Sequence, residues 1–341
     1  MVLAEMAYWQ STLLRVVGVL AAVLLPAGTF VYVFLFKMMS FMQSRLGPME
    51  AGPYGSLQLL AEVGKSLQKE DIFPERADRT LFALAPYLVV GSVLMVYVVI
   101  PFGPDAFFAD LDTGIFYAMA VSAISVIGVL VAGWASANKY SLMGGLRAAG
   151  QLIAYELPMV LAVVGVVVQA ESLNMIEIVR AQAQGEMFGF GGLGNLFILT
   201  QIIGFGLFLM AAQAELSQAP FDMPIAESEL VSGYMTEYSG MRFLLFFIGE
   251  FASAGAFSAI AATLFLGGWW LPGLDLDANY MNVVGPLVVL GKMMFVAFLI
   301  FWFRFTYPRF REDQLQTLAW KYLIPLALVN IMVTAILKVV F

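Results

Sequence analysis

Apolar stretches of about 20 residues recur along the whole of this 341-residue chain, and each is long enough to cross a hydrocarbon layer roughly 30 Å thick. In such a layer every backbone N–H and C=O needs a partner inside the protein, which leaves two architectures, helices or a closed barrel. The runs are continuous rather than alternating, and that excludes the barrel. Hydrophobic residues make up 61% of the chain and charged residues 12%, against about 45–50% and 25% in soluble domains. The chain is therefore expected to be all-α and polytopic, a single transmembrane domain over residues 1–341.

Eight spans are expected, near residues 12–36, 81–102, 114–136, 151–170, 194–214, 241–267, 282–304 and 321–340. Eight crossings return both termini to one side. Segments after odd-numbered spans hold Lys37, Arg45, Lys65, Lys69, Arg76, Arg79, Lys139, Arg147, Arg242, Arg304, Arg309, Arg311 and Lys321, whereas the opposite side holds Arg15, Arg180 and Lys338. Thirteen cations against three put the loops near 37–80, 137–150, 215–240 and 305–320 in the cytoplasm and both termini on the periplasmic face. The first apolar run lacks a basic leader and a small-residue cleavage site, so it reads as a retained span. Within the first loop Leu57, Leu60, Ala61, Gly64 and Leu67 share one helical face, and Gln58, Glu62, Lys65 and Lys69 lie elsewhere. A short amphipathic helix at the interface is expected there. The outer loops 103–113 and 268–281 are acidic, the second with tryptophans suited to headgroup depth. The lack of an internal repeat argues against an inverted-repeat transporter.

Cysteine and histidine are both absent. Without thiolate or imidazole the chain lacks ligands for an iron–sulfur cluster, a His-held haem or a common zinc site. In any redox process the electrons would belong to another subunit. No basic patch suited to nucleic acid is present.

The strongest functional signal is AAQAELSQAPFDMPIAESELVSGYMTEYSG, from Ala211 to Gly240, which holds Glu215, Asp222, Glu227, Glu229 and Glu237 and no Lys or Arg. Carboxylates crowded at a membrane boundary raise one another's proton affinity, which suits groups that take up and release protons. Pro220 and Pro224 break the first half, and Glu227, Leu230, Val231 and Tyr234 are expected along one short helix. The competing reading is a solvated acidic loop, which accounts poorly for its Leu, Val, Tyr, Phe and Met content. Glu156 opens span four and Glu215 closes span five; a carboxylate at a span end can equally snorkel to the headgroups. Glu250 is roughly nine residues, about 13 Å, into span six, and is expected paired or protonated. Lys292 in span seven is expected to meet a carboxylate of a neighbouring span or to face water, and an ion pair that merely fixes packing is the structural alternative.

Four segments, in order, carry a family resemblance: MQSRLGPMEAGPYGSLQLLAEVGKSLQKE, GWASANKYSLMGGLRAAGQLIAYE, APFDMPIAESELVSGYMTEYSGMRF and FRFTYPRFREDQLQTLAWKYLIPLAL. They resemble the complex I membrane subunit known as the H subunit of NADH-quinone oxidoreductase, or NADH dehydrogenase subunit 1 in mitochondria, over nearly the whole chain. The resemblance implies a subunit at the heel of the membrane arm, in the cell inner membrane, forming much of the tunnel by which quinone, the substrate, reaches the last iron–sulfur cluster. It implies that this cluster, NADH and FMN sit on partner subunits and that this chain holds no metal. It also implies cytoplasmic loops that dock the peripheral arm, and acids that begin a polar path toward antiporter-like subunits. Carried over by position, Glu215, Asp222, Glu227, Glu229 and Glu237 match the family's acidic loop, and Glu156 and Glu250 its intramembrane acids. Lys292 is grouped with the path. Arg45, Gln58, Glu62, Lys65, Arg304 and Arg309 match polar positions along the tunnel or docking loops.

Two places depart from the family pattern. Where the family usually has Glu-Arg-Lys at the end of span one, this chain has Leu35, Phe36 and Lys37; where it usually has an arginine before PFD, this chain has Gln218. A proton path through position 35 is thereby excluded, and Phe36 and Gln218 mark where the tunnel's chemistry differs. The expected mechanism is protonic: quinone reduction draws protons, the acidic block titrates as a coupled group, and Glu250 passes the change on. Two rivals are a membrane anchor of a proton-reducing hydrogenase or ferredoxin-linked complex, and an independent ion-coupled transporter using Glu250 and Lys292.

Overall fold

The computed structural model describes residues 8–185, 194–274, 276 and 280–340, apart from the side chains of Tyr8, Gln10, Ser11 and Val340. Part of the 268–281 loop lies outside the described residues. Among those described, all regular structure is helical. Helix α1 (Tyr8–Phe30) continues through a π-helical stretch, Val31–Met38, to Met42. Then come α2 (Gln58–Gln68), α3 (Arg79–Tyr97), α4 (Gly114–Ser122), α5 (Ile124–Ala135), α6 (Lys139–Ala170) and α7 (Met175–Gln184). After the turn Phe197–Thr200 follow α8 (Ile202–Glu215), α9 (Gly240–Phe265), α10 (Met281–Thr306), α11 (Glu312–Thr317), a second π-helical stretch at Leu318–Leu323, and α12 (Ile324–Val340).

Seven stretches of the described residues are long and apolar enough to cross a membrane: α1 with its extension, α3, α4 with α5, α6, α9, α10, and α11 through α12. The predicted span near 194–214 is shorter and interrupted. Its helix α8 has 14 residues, about 21 Å at 1.5 Å per residue, and Gln201 separates it from the turn before it. Gln201 is buried and committed sideways, donating to Thr334 Oγ1 (2.6 Å) and accepting from Asn330 Nδ2 (2.8 Å). Such interhelical polar bonds act as glue where lipid offers no hydrophobic driving force. Helix α8 runs back along α6, with Gln169 bonded to Thr200 at one end and Gln151 bonded to the Ala214 carbonyl near the other.

Two predicted loops are corrected. Residues 139–150, expected in a loop, form the first three turns of α6. The Asn138 side chain caps this helix by accepting the Tyr140 N–H at 2.8 Å, and no proline interrupts KYSLMGGLRAAG, so the fall in hydropathy marks the membrane edge and not the helix end. Likewise Glu312–Thr317 within the expected loop 305–320 is helical.

Helix α9 is central, packing on α1, α3 and α10, and α6 packs on α5, α8 and α12. Small residues make the α9 contact possible. A Cβ on Gly255 would fall 2.2 Å from the Tyr97 hydroxyl, which donates to the Ala252 carbonyl at 3.2 Å. Close approach through small residues is the usual way membrane helices gain dispersion contact. A second, smaller core of Phe82, Val89, Tyr234, Tyr238 and Phe246 lies under the acidic block.

The expected cytoplasmic segments meet at one end of the bundle. The Asp78 N–H donates to the Ala135 carbonyl, Arg242 pairs with Asp71, the Phe310 N–H donates to the Pro220 carbonyl, and Gln316 donates to the Gly150 carbonyl. At the other end Asn174 holds Asp110, Asn282 holds Asp105, and Lys338 pairs with Glu171. Among the described residues these two sets of contacts lie at opposite ends of the bundle.

Candidate functional site

The acidic block is a strapped loop lying across α6. Gln151, buried in α6, donates to the Ala214 carbonyl at 2.7 Å and the Phe221 carbonyl at 2.8 Å, pinning the chain on both sides of its exit from α8. Phe221 packs edge-on against Tyr155 and tilted against Phe310. The second half is anchored by Tyr238, whose ring stacks on Phe82 at 4.0 Å and whose hydroxyl donates to the Phe82 carbonyl at 3.1 Å. Burial pushes the phenols of Tyr234 and Tyr238 above their usual range, so neither acts as an acid. Gly144 lets the strap lie close: a Cβ there would fall 2.6–2.8 Å from backbone atoms of Gly233 and Tyr234.

The expected helix through Glu227, Leu230, Val231 and Tyr234 is cut short. It covers only Glu227–Leu230 and ends at Val231, which takes φ +64°, so Leu230 and Tyr234 are buried while Val231 stays exposed. A left-handed backbone at a β-branched residue is strained.

The block has no cation of its own, and its neighbours supply them. Glu229 accepts from Arg147 of α6 at 2.6 Å and from Arg309 beyond α10 at 3.0 Å. The hydrogen bond from Arg147 leads in holding its carboxyl below the usual range. Glu250 of α9 accepts from Arg304 of α10 at 3.1 Å and from Gln218 at 3.3 Å, both on the same oxygen. Gln218 is itself buried, its own oxygen unpartnered among the described residues. Between these pairs sits Asp222, half-buried, its carboxyl pushed up to about 6. Burial is the main cause; Arg309 and Arg304 pull it down, and Glu250 and Glu227 push it up. Its proton occupancy is therefore set jointly by the half-buried Arg304–Glu250 pair and by Arg309 and Glu227.

The remaining expected residues fall in different places. Glu237 accepts from Asn138, and Glu227 is exposed at the start of its short helix. Glu215 lies at the end of α8 with one carboxylate oxygen buried and unpartnered among the described residues. Glu156 of α6 lines an apolar cavity of about 210 Å³ with Phe116, Met119 and Val163, close enough to Glu215 for their charges to interact. Lys292 takes neither expected partner: its ammonium donates to the carbonyls of Leu266, Gly268 and Trp270 at 2.5–2.7 Å, at the C-terminal end of α9. A cation there satisfies orphan carbonyls and meets the negative end of the helix.

In the first loop Gln58 donates to Glu62 within α2, while Lys65 and Arg45 are exposed, the Arg45 guanidinium donating to Gln43. The expected amphipathic helix is present. Leu57 at its cap and Leu60 and Leu67 along its outer face are exposed by 52–67%, while Leu59 turns inward and packs against the core. At the first departure from the family pattern, Leu35 and Phe36 pack against the core, and the Lys37 ammonium turns to the Pro48 carbonyl at 2.7 Å. Nearby, Phe34 and Phe251 stack on Phe301. Apolar packing thus occupies the position at which the family pattern has a charged pair.

Arg147, Gln151 and Asn138, not singled out from sequence, hold the block. A polar glutamine inside an apolar span was the available signal for Gln151. Arg147 was visible only as one cation among thirteen, because its partner is 82 residues away.

Comparison with known proteins comes to the same place as the segment resemblance. The sequence profile of the NADH dehydrogenase family matches residues 14–335. The chain is 45% identical over 330 residues to the H subunit of NADH-quinone oxidoreductase from Brevibacillus brevis, covering 96% of this chain and 94% of that one. It is 48% identical over 306 residues to the protein of that name from Bacillus mycoides, and 47% over 306 residues to that of Bacillus cytotoxicus, in both cases covering 89% of this chain and 87% of the relative.

Proposed function

We infer the role of this chain from one premise: it belongs to the NADH dehydrogenase family, that of the H subunit of NADH-quinone oxidoreductase. On that basis it is a membrane-arm subunit of complex I, a redox-driven proton pump whose electron carriers sit on partner subunits. The names of these relatives favour this reading over a hydrogenase anchor. In the proposal the chain crosses the cell inner membrane eight times with both termini on the periplasmic face, and the gathering of the positively charged loops at one end supports that arrangement. The outward leucines of α2 and the loops near 37–80 and 305–320 are the proposed docking face for the peripheral arm, and quinone passes near Phe36, Gln218 and Arg304.

One observation carries the mechanistic part: the half-buried Asp222 lies within electrostatic reach of Arg304 and Arg309, which are ion-paired to Glu250 and Glu229. Negative charge arising on a quinone beside this group would compete for the same guanidinium groups. Asp222 and its neighbours would then gain proton affinity together. Glu215, Glu156 and Glu250 lead inward from the block as the proposed path to the pumping subunits. Lys292, bonded to three carbonyls, is assigned to clamping the end of α9. Replacing Glu215 or Glu229 with Gln in the intact complex should lower the number of protons moved per quinone reduced while the complex still assembles. Full pumping stoichiometry and rate in both variants would overturn the reading.

A further inference from the structure

At the end of the bundle opposite the acidic strap, α1 and α10 each pack on α9 and touch one another only lightly. Between them lies a groove of about 640 Å³, open on the outside of the bundle where Leu14 and Leu25 are exposed. Its rim is built by the loop after α3. There the Phe108 ring meets Phe102 edge-on at 6.3 Å and lies so close to α1 that a Cβ on Gly18 would fall 2.7 Å from it. From Arg15 to Thr29 the groove follows α1 for 14 residues, about 21 Å. That is the depth of one leaflet of a bilayer roughly 40–45 Å thick with its headgroups.

The lining is apolar except for Arg15, Thr29 and Asp105. The Thr29 hydroxyl is spent inside its own helix, donating to the Leu25 carbonyl at 2.7 Å. The two charged groups belong to one rim, since Gly18 lies one turn from Arg15 and faces Phe108, three residues from Asp105. They are not spent on each other. Arg15 makes no ion pair among the described residues. Asp105 is held by Asn282 alone among them, its Oδ2 accepting from Nδ2 at 3.0 Å and its N–H donating to Oδ1 at 3.1 Å. Asp105 Oδ1 therefore has no partner among the described residues.

We propose that this groove binds one phospholipid with a primary-amine headgroup, of the phosphatidylethanolamine class. One acyl chain lies along α1 between Leu25 and Met293. The phosphate accepts from the Arg15 guanidinium, whose planar fork suits phosphate oxygens, and the ammonium donates to Asp105 Oδ1. The opposite charges of the rim select this headgroup. A purely anionic lipid brings phosphate to Asp105 with no cation between them, and a quaternary-ammonium lipid has no N–H to donate. A mostly apolar pocket of this volume with a few placed polar groups is the usual make-up of a small-molecule site. The groove shares no residue with the acidic strap and stands apart from the protonic reading.

The test uses the intact complex in phosphatidylcholine nanodiscs doped with a phosphatidylethanolamine that carries a diazirine in one acyl chain. After illumination, peptide mass spectrometry should find the label on the segments of α1 and α10 that line the groove. Exchanging part of the host lipid for unlabelled phosphatidylethanolamine should cut this labelling about 3-fold or more, as suits charge pairs at an exposed rim. The same amount of phosphatidylglycerol should leave it unchanged. Arg15→Gln should lower labelling about 3-fold or more. Asp105→Asn, which keeps an oxygen to accept from Asn282, should make the phosphatidylethanolamine exchange ineffective. Ala21→Trp, which fills the groove from an exposed position, should abolish the label while quinone reduction is unchanged. No label on these segments, equal or stronger competition by phosphatidylglycerol, or labelling unaltered by Arg15→Gln or Ala21→Trp would overturn the proposal. So would an exchange effect that survives Asp105→Asn. Should a variant fail to assemble, the competition series on the unaltered complex decides alone.

Discussion

Asp222 offers a quantitative handle on the strap, and its replacement by asparagine tests how that group is charged. Its carboxyl is pushed up to about 6 from an ordinary 3.8, a gap that corresponds to roughly 3 kcal/mol against the charged form. The side chain is only half-buried, and solvent screening reduces the usable figure to about 2 kcal/mol. Below pH 3.8 native and unfolded chains both hold the proton. Between 3.8 and about 6 the unfolded chain releases it while the native chain keeps it, so native stability falls as pH rises through this window and stays low above it. Asparagine never ionises. The Asp222→Asn variant should therefore be more stable by about 2 kcal/mol at pH 7, with the advantage vanishing toward pH 4. Infrared titration of the intact complex should show a protonated carboxyl that disappears near pH 6 in the unaltered protein and is missing from the variant. Its midpoint should rise in Arg309→Gln, which removes the strongest opposing charge, and fall in Glu250→Gln. A midpoint at the ordinary carboxylate value, or a pH 6 band that survives in Asp222→Asn, would refute the electrostatic account.

The packing of the strap can be tested separately. Gly144→Ala places a Cβ 2.6–2.8 Å from the Gly233 and Tyr234 backbone, and backbone yields little. A cost of about 1–3 kcal/mol should appear as faster hydrogen exchange across residues 224–238, and unchanged exchange would count against the contact. Val231→Gly should stabilise by about 1 kcal/mol, because glycine accepts the φ of +64° without strain and the exposed valine side chain gives up little packing. A drop in melting temperature would contradict this.

Membership of the membrane-helical class was legible in the chain itself, since continuous apolar runs of bilayer length admit no other backbone that satisfies its own polar groups. The grouping of loops by charge, the amphipathic α2 and the proline-broken acidic block were equally local signals, carried by residues near one another in sequence. Helix ends at the membrane edge were less legible. Residues 139–150 look like a loop by hydropathy, yet a capped, proline-free segment continues as helix outside the apolar layer. What only the tertiary structure decided is how the charges are paired. The block from Ala211 to Gly240 contains no cation, and its partners Arg147, Arg304 and Arg309 lie on α6, α10 and the segment beyond it. Lys292 turned to carbonyls and not to a carboxylate, and Arg15 and Asp105, on separate elements, came to line one groove. Hydrophobic patterning is a one-dimensional property that a bilayer reads directly. Pairing of buried charge depends on distances between helices far apart in sequence, and those exist only once the bundle has packed.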